Sequence, residues 1–231
     1  MFERLKKCFV LPNFKALPAI MPDAISRWAV AKGFVPAGLG AGTKNRNSFV
    51  LAGKTGNTTW KLERGKSTRD YIVGEELRAR AELRLNNDVA VVIINRTLKE
   101  GLEKRAYEIY TDTLQTTADL SLPEEMRWLA MYPEATWDGL PAKFWERYSV
   151  LAEKPKQAMT WLDPQFANLL MSLPEPVADE QVPFLLMILR GKAHLRMQYT
   201  PADVQTMEHA AKIFTHACES GLSRLSADVL I

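Results

Sequence analysis

The chain has 231 residues and a mass of 26.1 kDa, with 47% hydrophobic and 25% charged residues, ordinary values for one large globular domain or two small ones. A chain of this length buries a full core without staples, which excludes disorder, a coiled coil and a disulfide scaffold. The formal net charge of +3 hides a gradient, because residues 1–70, 71–118, 119–180 and 181–231 carry +9, −1, −6 and +1.

At the N-terminus, Phe2, Leu5 and Phe9 alternate with Arg4, Lys6 and Lys7 in a short amphipathic turn that Pro12 ends. It reads as an arm packed on the body rather than a membrane anchor, and the four-residue apolar run from Cys8 to Leu11 is too short for an export signal. Asp23 precedes a periodic apolar stretch that closes at Gly33, which predicts a capped helix. A loop rich in Gly, Pro and Asn follows. Ser48 to Gly53 and Thr58 to Arg64 then predict a hairpin around Lys54 to Asn57, with Trp60 and Leu62 alternating against Lys61 and Glu63.

Leu77 to Leu85 has the strict period of two of a half-buried strand, with Arg78, Arg80, Glu82 and Arg84 on the polar face. Val89 to Ile94 is a wholly apolar, buried strand. Helices are predicted over Leu98 to Leu114 and from Pro123 to Tyr132. Phe144 to Ala152 reads as a strand, followed by short helices near Lys156 to Leu162 and Pro164 to Leu173. Phe184 to Leu189 and Ala193 to Tyr199 form a hairpin about Arg190-Gly191-Lys192, and Thr200 with Pro201 opens a last helix. On that helix Val204, Met207, Ala211, Phe214, Cys218 and Leu225 follow 3-4 spacing, so this face is core or an interface.

Consecutive hairpins without regular strand-helix-strand alternation predict an α+β fold: an antiparallel sheet with helices packed on it, in two halves of similar vocabulary. The expected organisation is a basic half over residues 1–117, a connecting segment over 118–142 and a second half over 143–231.

Motifs for chemistry are sparse. Gly53-Lys54-Thr55 ends like a phosphate-binding loop, but Ser48 stands where the first glycine belongs and a strand follows where a helix is needed. Gly38, Gly40 and Gly42 do not match the dinucleotide fingerprint. His209 and His216 are about 10.5 Å apart along a helix, too far for one ion, and His194 lies with Arg196 and Gln198 on a polar strand face. Cys8 and Cys218 have no CxxC spacing and read as reduced thiols of a cytoplasm. Adjacent carboxylate pairs point apart, so none makes an acid and base facing one substrate. No catalytic, cofactor or metal residues are assigned.

The basic stretch is the feature with a partner implied. Lys44, Arg46, Lys61, Arg78, Arg80 and Arg84 offer contacts to an anionic or nucleic-acid partner, with Trp60 among them. Glu76 and Glu82 share the arginine face, however, and the alternation places Trp60 with apolar Leu62. The alternative is neutralisation by the acidic block or by a second subunit.

Phe144-x-x-Arg147-Tyr148-x-Val150, Ala158-x-x-Trp161-Leu162-x-Pro164, Leu169-Leu170, the Gly191 hairpin and Thr200-Pro201-x-Asp203 resemble an uncharacterised bacterial soluble domain. The resemblance spans residues 143–217. It implies a domain that commonly follows transmembrane helices, although no such helix occurs in this chain, and it implies no catalytic residues.

Taken together, these features predict a non-catalytic protein-interaction or scaffolding domain of a bacterial cytoplasm, working through a protein partner or a homodimer. Val204, Met207, Ala211, Phe214 and Leu225 are its candidate interface. Nucleic-acid binding through the basic half is the second reading. An enzyme or small-ligand sensor with the loop at 38–42 as lid is the third.

Overall fold

The computed structural model describes residues 22–36, 49–113, 124–174, 179–200 and 203–226. Eight strands form one antiparallel sheet: β1 (Val35–Pro36), β2 (Phe49–Thr55), β3 (Thr58–Lys66), β4 (Glu75–Glu82), β5 (Ala90–Asn95), β6 (Tyr148–Ala152), β7 (Phe184–Leu189) and β8 (Lys192–Gln198). Their order is β1-β2-β3-β4-β8-β7-β5-β6. The helices are α1 (Pro22–Ala31), α2 (Arg96–Thr113), α3 (Glu124–Met131), α4 (Ala142–Arg147), α5 (Pro155–Trp161), α6 (Pro164–Met171) and α7 (Val204–Arg224). The fold is α+β, as the hairpin pattern predicts.

Two tight turns set the registers. Gly56-Asn57 joins Thr55 to Thr58, and Arg190-Gly191 joins Leu189 to Lys192. Both Arg190 and Gly191 have positive φ, 50° and 72°, the twist that a two-residue hairpin needs. A Cβ at Gly191 would lie 2.8 Å from the Leu85 carbonyl. The Gly191 carbonyl itself accepts from the amides of Leu83 and Arg84, so this turn ties the β7-β8 hairpin to the chain leaving β4.

One face of the sheet carries the main core. Trp60 and Leu62 of β3, Leu77, Ala79 and Ala81 of β4, and Ala193, Leu195 and Met197 of β8 meet Met207, Phe214 and Cys218 of α7 there. Helices α5 and α6 cover the β5-β6 side of the same face, and Trp161 Nε1 donates to the Ala217 carbonyl at 3.0 Å to lock α5 on α7. On the opposite face a smaller cluster joins Val92 and Ile94 of β5, Leu151 of β6 and Leu185 and Met187 of β7 to Leu98 and Leu102 of α2 and Met126 and Trp128 of α3.

Several sequence expectations are corrected by this arrangement. The interface candidates are core of a single chain: Met207, Phe214 and Leu225 are 0% exposed and Ala211 3%, with Val204 partly buried against the same cluster. The 3-4 spacing reports an apolar face, and the sheet is what covers it. Phe144 to Arg147 is helical rather than extended; aromatic content favours a strand, but the amide of Phe144 bonds back to Pro141, and Phe144 packs edge-on against Trp145. The cap of α7 is Asp203, which accepts from the Thr206 amide at 2.6 Å, while the Thr200 hydroxyl lies before the first turn and accepts from the Glu75 amide. Helix α1 starts at Pro22, so Asp23 lies within its first turn.

Gly53 faces Trp60 across the β2-β3 pair. A Cβ there would lie 2.2 Å from the indole, whose Nε1 donates to the Thr55 hydroxyl at 3.2 Å. Gly53→Ala is therefore expected to lower stability by about 1–3 kcal/mol in urea unfolding. Gly65→Ala on β3, whose nearest contact would be an ordinary 3.6 Å to Arg78, is expected to change stability by less than about 1 kcal/mol.

Candidate binding surface

The second face of the sheet changes character at β8. Toward β7 and β5 it is apolar and covered by α2 and α3, whereas toward β4 and β3 it is charged and no described helix packs on it. The reason lies in the alternation of three strands: the residues between their core positions are Thr59, Lys61 and Glu63 on β3, Glu76, Arg78, Arg80 and Glu82 on β4, and Lys192, His194 and Arg196 on β8.

Register lines these side chains into rows across the strands, which lie about 4.8 Å apart. Lys61, Arg80 and His194 form one row; Glu63, Arg78 and Arg196 form the next. With Lys54 at the edge of β2 opposite Thr59, the face carries six cations against three carboxylates. It is dished, enclosing about 590 Å³.

The ion pairs within the face do not use every charge. Arg80 meets Glu82 at 2.6 Å, Lys192 meets Glu82 at 3.4 Å and Arg78 meets Glu63 at 3.6 Å. The hydrogen bond from Arg80 holds the exposed Glu82 carboxyl below the usual carboxylate range. Arg196 donates to Glu76 Oε1 at 2.9 Å. Glu76 is fully buried, and among the described residues neither its Oε2 nor Arg78 Nε has a hydrogen-bond partner. Lys61 makes no ion pair among the described residues.

A buried anchor borders this surface. Glu125 of α3, 1% exposed, accepts from Arg69 Nε at 2.5 Å and from the Tyr71 hydroxyl at 3.0 Å. Burial, with the Glu125 carboxylate beside it, raises the Tyr71 phenol well above its usual range. The segment between β3 and β4 thereby pins α3 beside the open face. It also shows part of the basic block neutralised internally, since Arg69 spends its charge on Glu124 and Glu125.

The structure brings together Lys61, Arg78 and Arg80 of the proposed anion contacts. Arg84 does not line the dish: it follows the end of β4 with φ +57°, beyond the last residue paired with β8, although burial still alternates from Leu83 to Leu85. Lys44, Arg46 and the glycine loop at 38–42 lie outside the described residues, as do Cys8 and the N-terminal arm. Trp60 is on the core face, packed edge-on against Phe214. Sequence reasoning left out Lys192, His194 and Arg196, which complete the surface from more than 110 residues away; the polar face of β8 was visible, its neighbour was not.

A second concavity, about 390 Å³, lies between α1, α6 and α7 and is lined chiefly by Trp28, Phe34, Leu169, Ala211 and His216. Elsewhere, burial pushes the Cys218 thiol up to about 12, which makes it inert. Among the described residues no cluster of three or more His, Cys, Asp or Glu could hold a metal ion, and no helix is long and apolar enough to cross a membrane.

No family model matches this chain, and no curated protein matches it. Among solved structures, the mycobacterial trehalose monomycolate transport factor A is similar over 87% of this chain and 93% of its own, with a TM-score of 0.47 and 9% identity.

His194 is the titrating group of the open face. Partial burial, then the charges of Arg80, Arg196 and Lys192, lower its imidazole to about 4 from an ordinary 6.5. A depressed folded-state value means that the unfolded chain binds the proton first, so stability is present above pH 6.5 and is lost as pH falls toward 4. His194→Gln is expected to flatten this part of the stability profile, measured as urea midpoints between pH 7.5 and 4.5.

Proposed function

We propose that this chain is a non-catalytic protein-interaction domain, with the uncovered half of the sheet as its docking surface for an acidic protein partner. The observation that carries the reading is the change along one sheet face, from apolar and helix-covered to charged and open, with cations in excess. Charged side chains line β8, β4 and β3 along this face, while on the other the same strands are apolar apart from the Arg64–Glu75 ion pair at one end. Partner recognition through complementary potential needs that kind of surface.

A protein partner is favoured over nucleic acid by the chemistry of the face. Single-stranded nucleic acid is held by cations together with aromatic platforms for the bases. Here the aromatic of β3, Trp60, is buried on the core side, and Glu63 and Glu82 stand between the cations, where each would repel a phosphate. A protein surface presents carboxylates singly and can place its own cations over Glu63 and Glu82. The cytoplasmic setting expected from reduced thiols, and the bacterial domain that residues 143–217 resemble, belong to the same proposal.

Poly-L-aspartate is the simplest probe. It is expected to bind the wild-type protein in fluorescence anisotropy, with affinity falling steeply between 50 and 300 mM salt. The Arg78→Glu, Arg80→Glu double variant is expected to weaken binding at least tenfold without loss of fold. Tighter binding of a single-stranded oligonucleotide of equal charge would replace this reading with the nucleic-acid one. No binding of either would remove the open face as a docking surface. Light scattering on the two proteins adds one arm: a wild-type dimer that the double variant abolishes makes a second copy of this chain the partner.

A further inference from the structure

The open face holds an imidazole whose protonation responds to the charges placed around it. His194 sits at the middle of β8, in register with Arg80 of β4 on one side and Met187 of β7 on the other. The charged groups that face it are Arg80 and Glu82 from β4 and Lys192 and Arg196 from its own strand; β7 contributes only apolar side chains at this level, and Lys61 extends the row from β3. Glu82, the sole carboxylate of this set, is already taken by Arg80 and Lys192. The imidazole has no hydrogen-bond partner among the described residues and lines the 590 Å³ dish together with Arg78, Arg80 and Arg196.

We infer that docking of a carboxylate-rich protein segment on this face is coupled to proton uptake at His194. The inference rests on the reading of the open face given above and adds its regulation. In the free protein three neighbouring cations and partial burial keep the imidazole neutral. A carboxylate seated over the Arg80-His194-Arg196 corner offsets those cations and offers an acceptor to the ring N–H, so the imidazolium becomes the favoured form. Linkage then requires affinity to rise as pH falls. The value of about 4 for the free imidazole agrees with this direction.

Charge complementarity favours carboxylates as the occupant. Six cations share the face, Lys61 makes no ion pair among the described residues, and each cation neighbouring His194 already lies within a lattice where carboxylates are the counterions. An acidic segment extends that lattice with the same chemistry.

The experiment is calorimetric binding of poly-L-aspartate to the full chain between pH 7.5 and 5.0, a range in which the probe's carboxylates stay ionised, in two buffers of different ionisation enthalpy. The expected result is binding about tenfold tighter at pH 5.0 than at 7.5 and fractional proton uptake between these limits. His194→Gln is expected to bind with no pH dependence, while a His209→Gln, His216→Gln variant, altered only on α7, keeps it. The His194 ring resonance supplies a readout on the unaltered protein, since its titration should move to higher pH when the probe saturates the face. Wild-type affinity independent of pH, a slope that survives in His194→Gln, or an unmoved His194 titration overturns the inference while binding itself leaves the docking surface standing. Absence of wild-type binding at every pH overturns the docking surface and the inference with it.

Discussion

The pairing of β4 with β8 is the constraint on which the rest of the molecule depends. It joins a meander built by residues 35–82 to hairpins built by residues 90–198, and it makes one sheet of them. Its register puts Leu77, Ala79 and Ala81 beside Met197, Leu195 and Ala193 on the core side. A slip of one residue would turn all six toward solvent and bury Arg78, Arg80 and Arg196 under α7, a change far more costly than any single contact could offset. The same register sets Arg78 opposite Arg196 and Arg80 opposite His194 on the other side. Like charges directly across a strand pair are unfavourable, so the core obliges the open face to concentrate positive charge.

How far the helices reach follows from composition. Strands β5 and β7 are apolar on both faces, which is why α5 covers one side and α2 the other. At β8 the second face becomes polar, and an apolar helix surface placed there would desolvate Arg196 and its neighbours without pairing them. Glu125 marks the limit: its carboxylate, buried in α3, is held by Arg69 and Tyr71 from the segment between β3 and β4. Arg105 and Asp70 tie α2 to the same segment. The cover therefore ends in a row of ion pairs, with the dish beginning immediately beyond.

Much of this was legible in local patterns. Period-two alternation locates β3, β4 and β8, the turns at Gly56 and Arg190-Gly191 follow from glycine placement, and Trp60 is assigned to the core by its neighbours Lys61 and Leu62. What stays hidden is pairing between distant segments. Nothing within Lys192 to Gln198 says that its polar face will lie beside Arg78 and Arg80, so half of the surface is invisible from either strand alone. The last helix shows the complementary limit: spacing identifies Met207, Ala211 and Phe214 as one apolar stripe, but only the sheet decides that it is filled within the chain. Arg84 fails for a local reason, since the amides of Leu83 and Arg84 both turn to the Gly191 carbonyl and the strand ends before Arg84.

The open face thus departs from what folding alone would select. An isolated sheet edge can be made soluble with lysines or threonines at low cost, yet here arginines stand opposite one another, a carboxylate is fully buried at Glu76 with one oxygen unpartnered, and an imidazole is set among cations. The opposed arginines and the imidazole are relieved when an anionic surface approaches, whereas the Glu76 carboxylate is not and relies on Arg196 inside the chain. Local rules broken together in one place, with the rest of the core conventionally packed, are the physical signature of a site. On the proposed function, the repulsion that the fold tolerates between Arg78 and Arg196 and the attraction of an acidic partner would be two measures of the same electrostatic field.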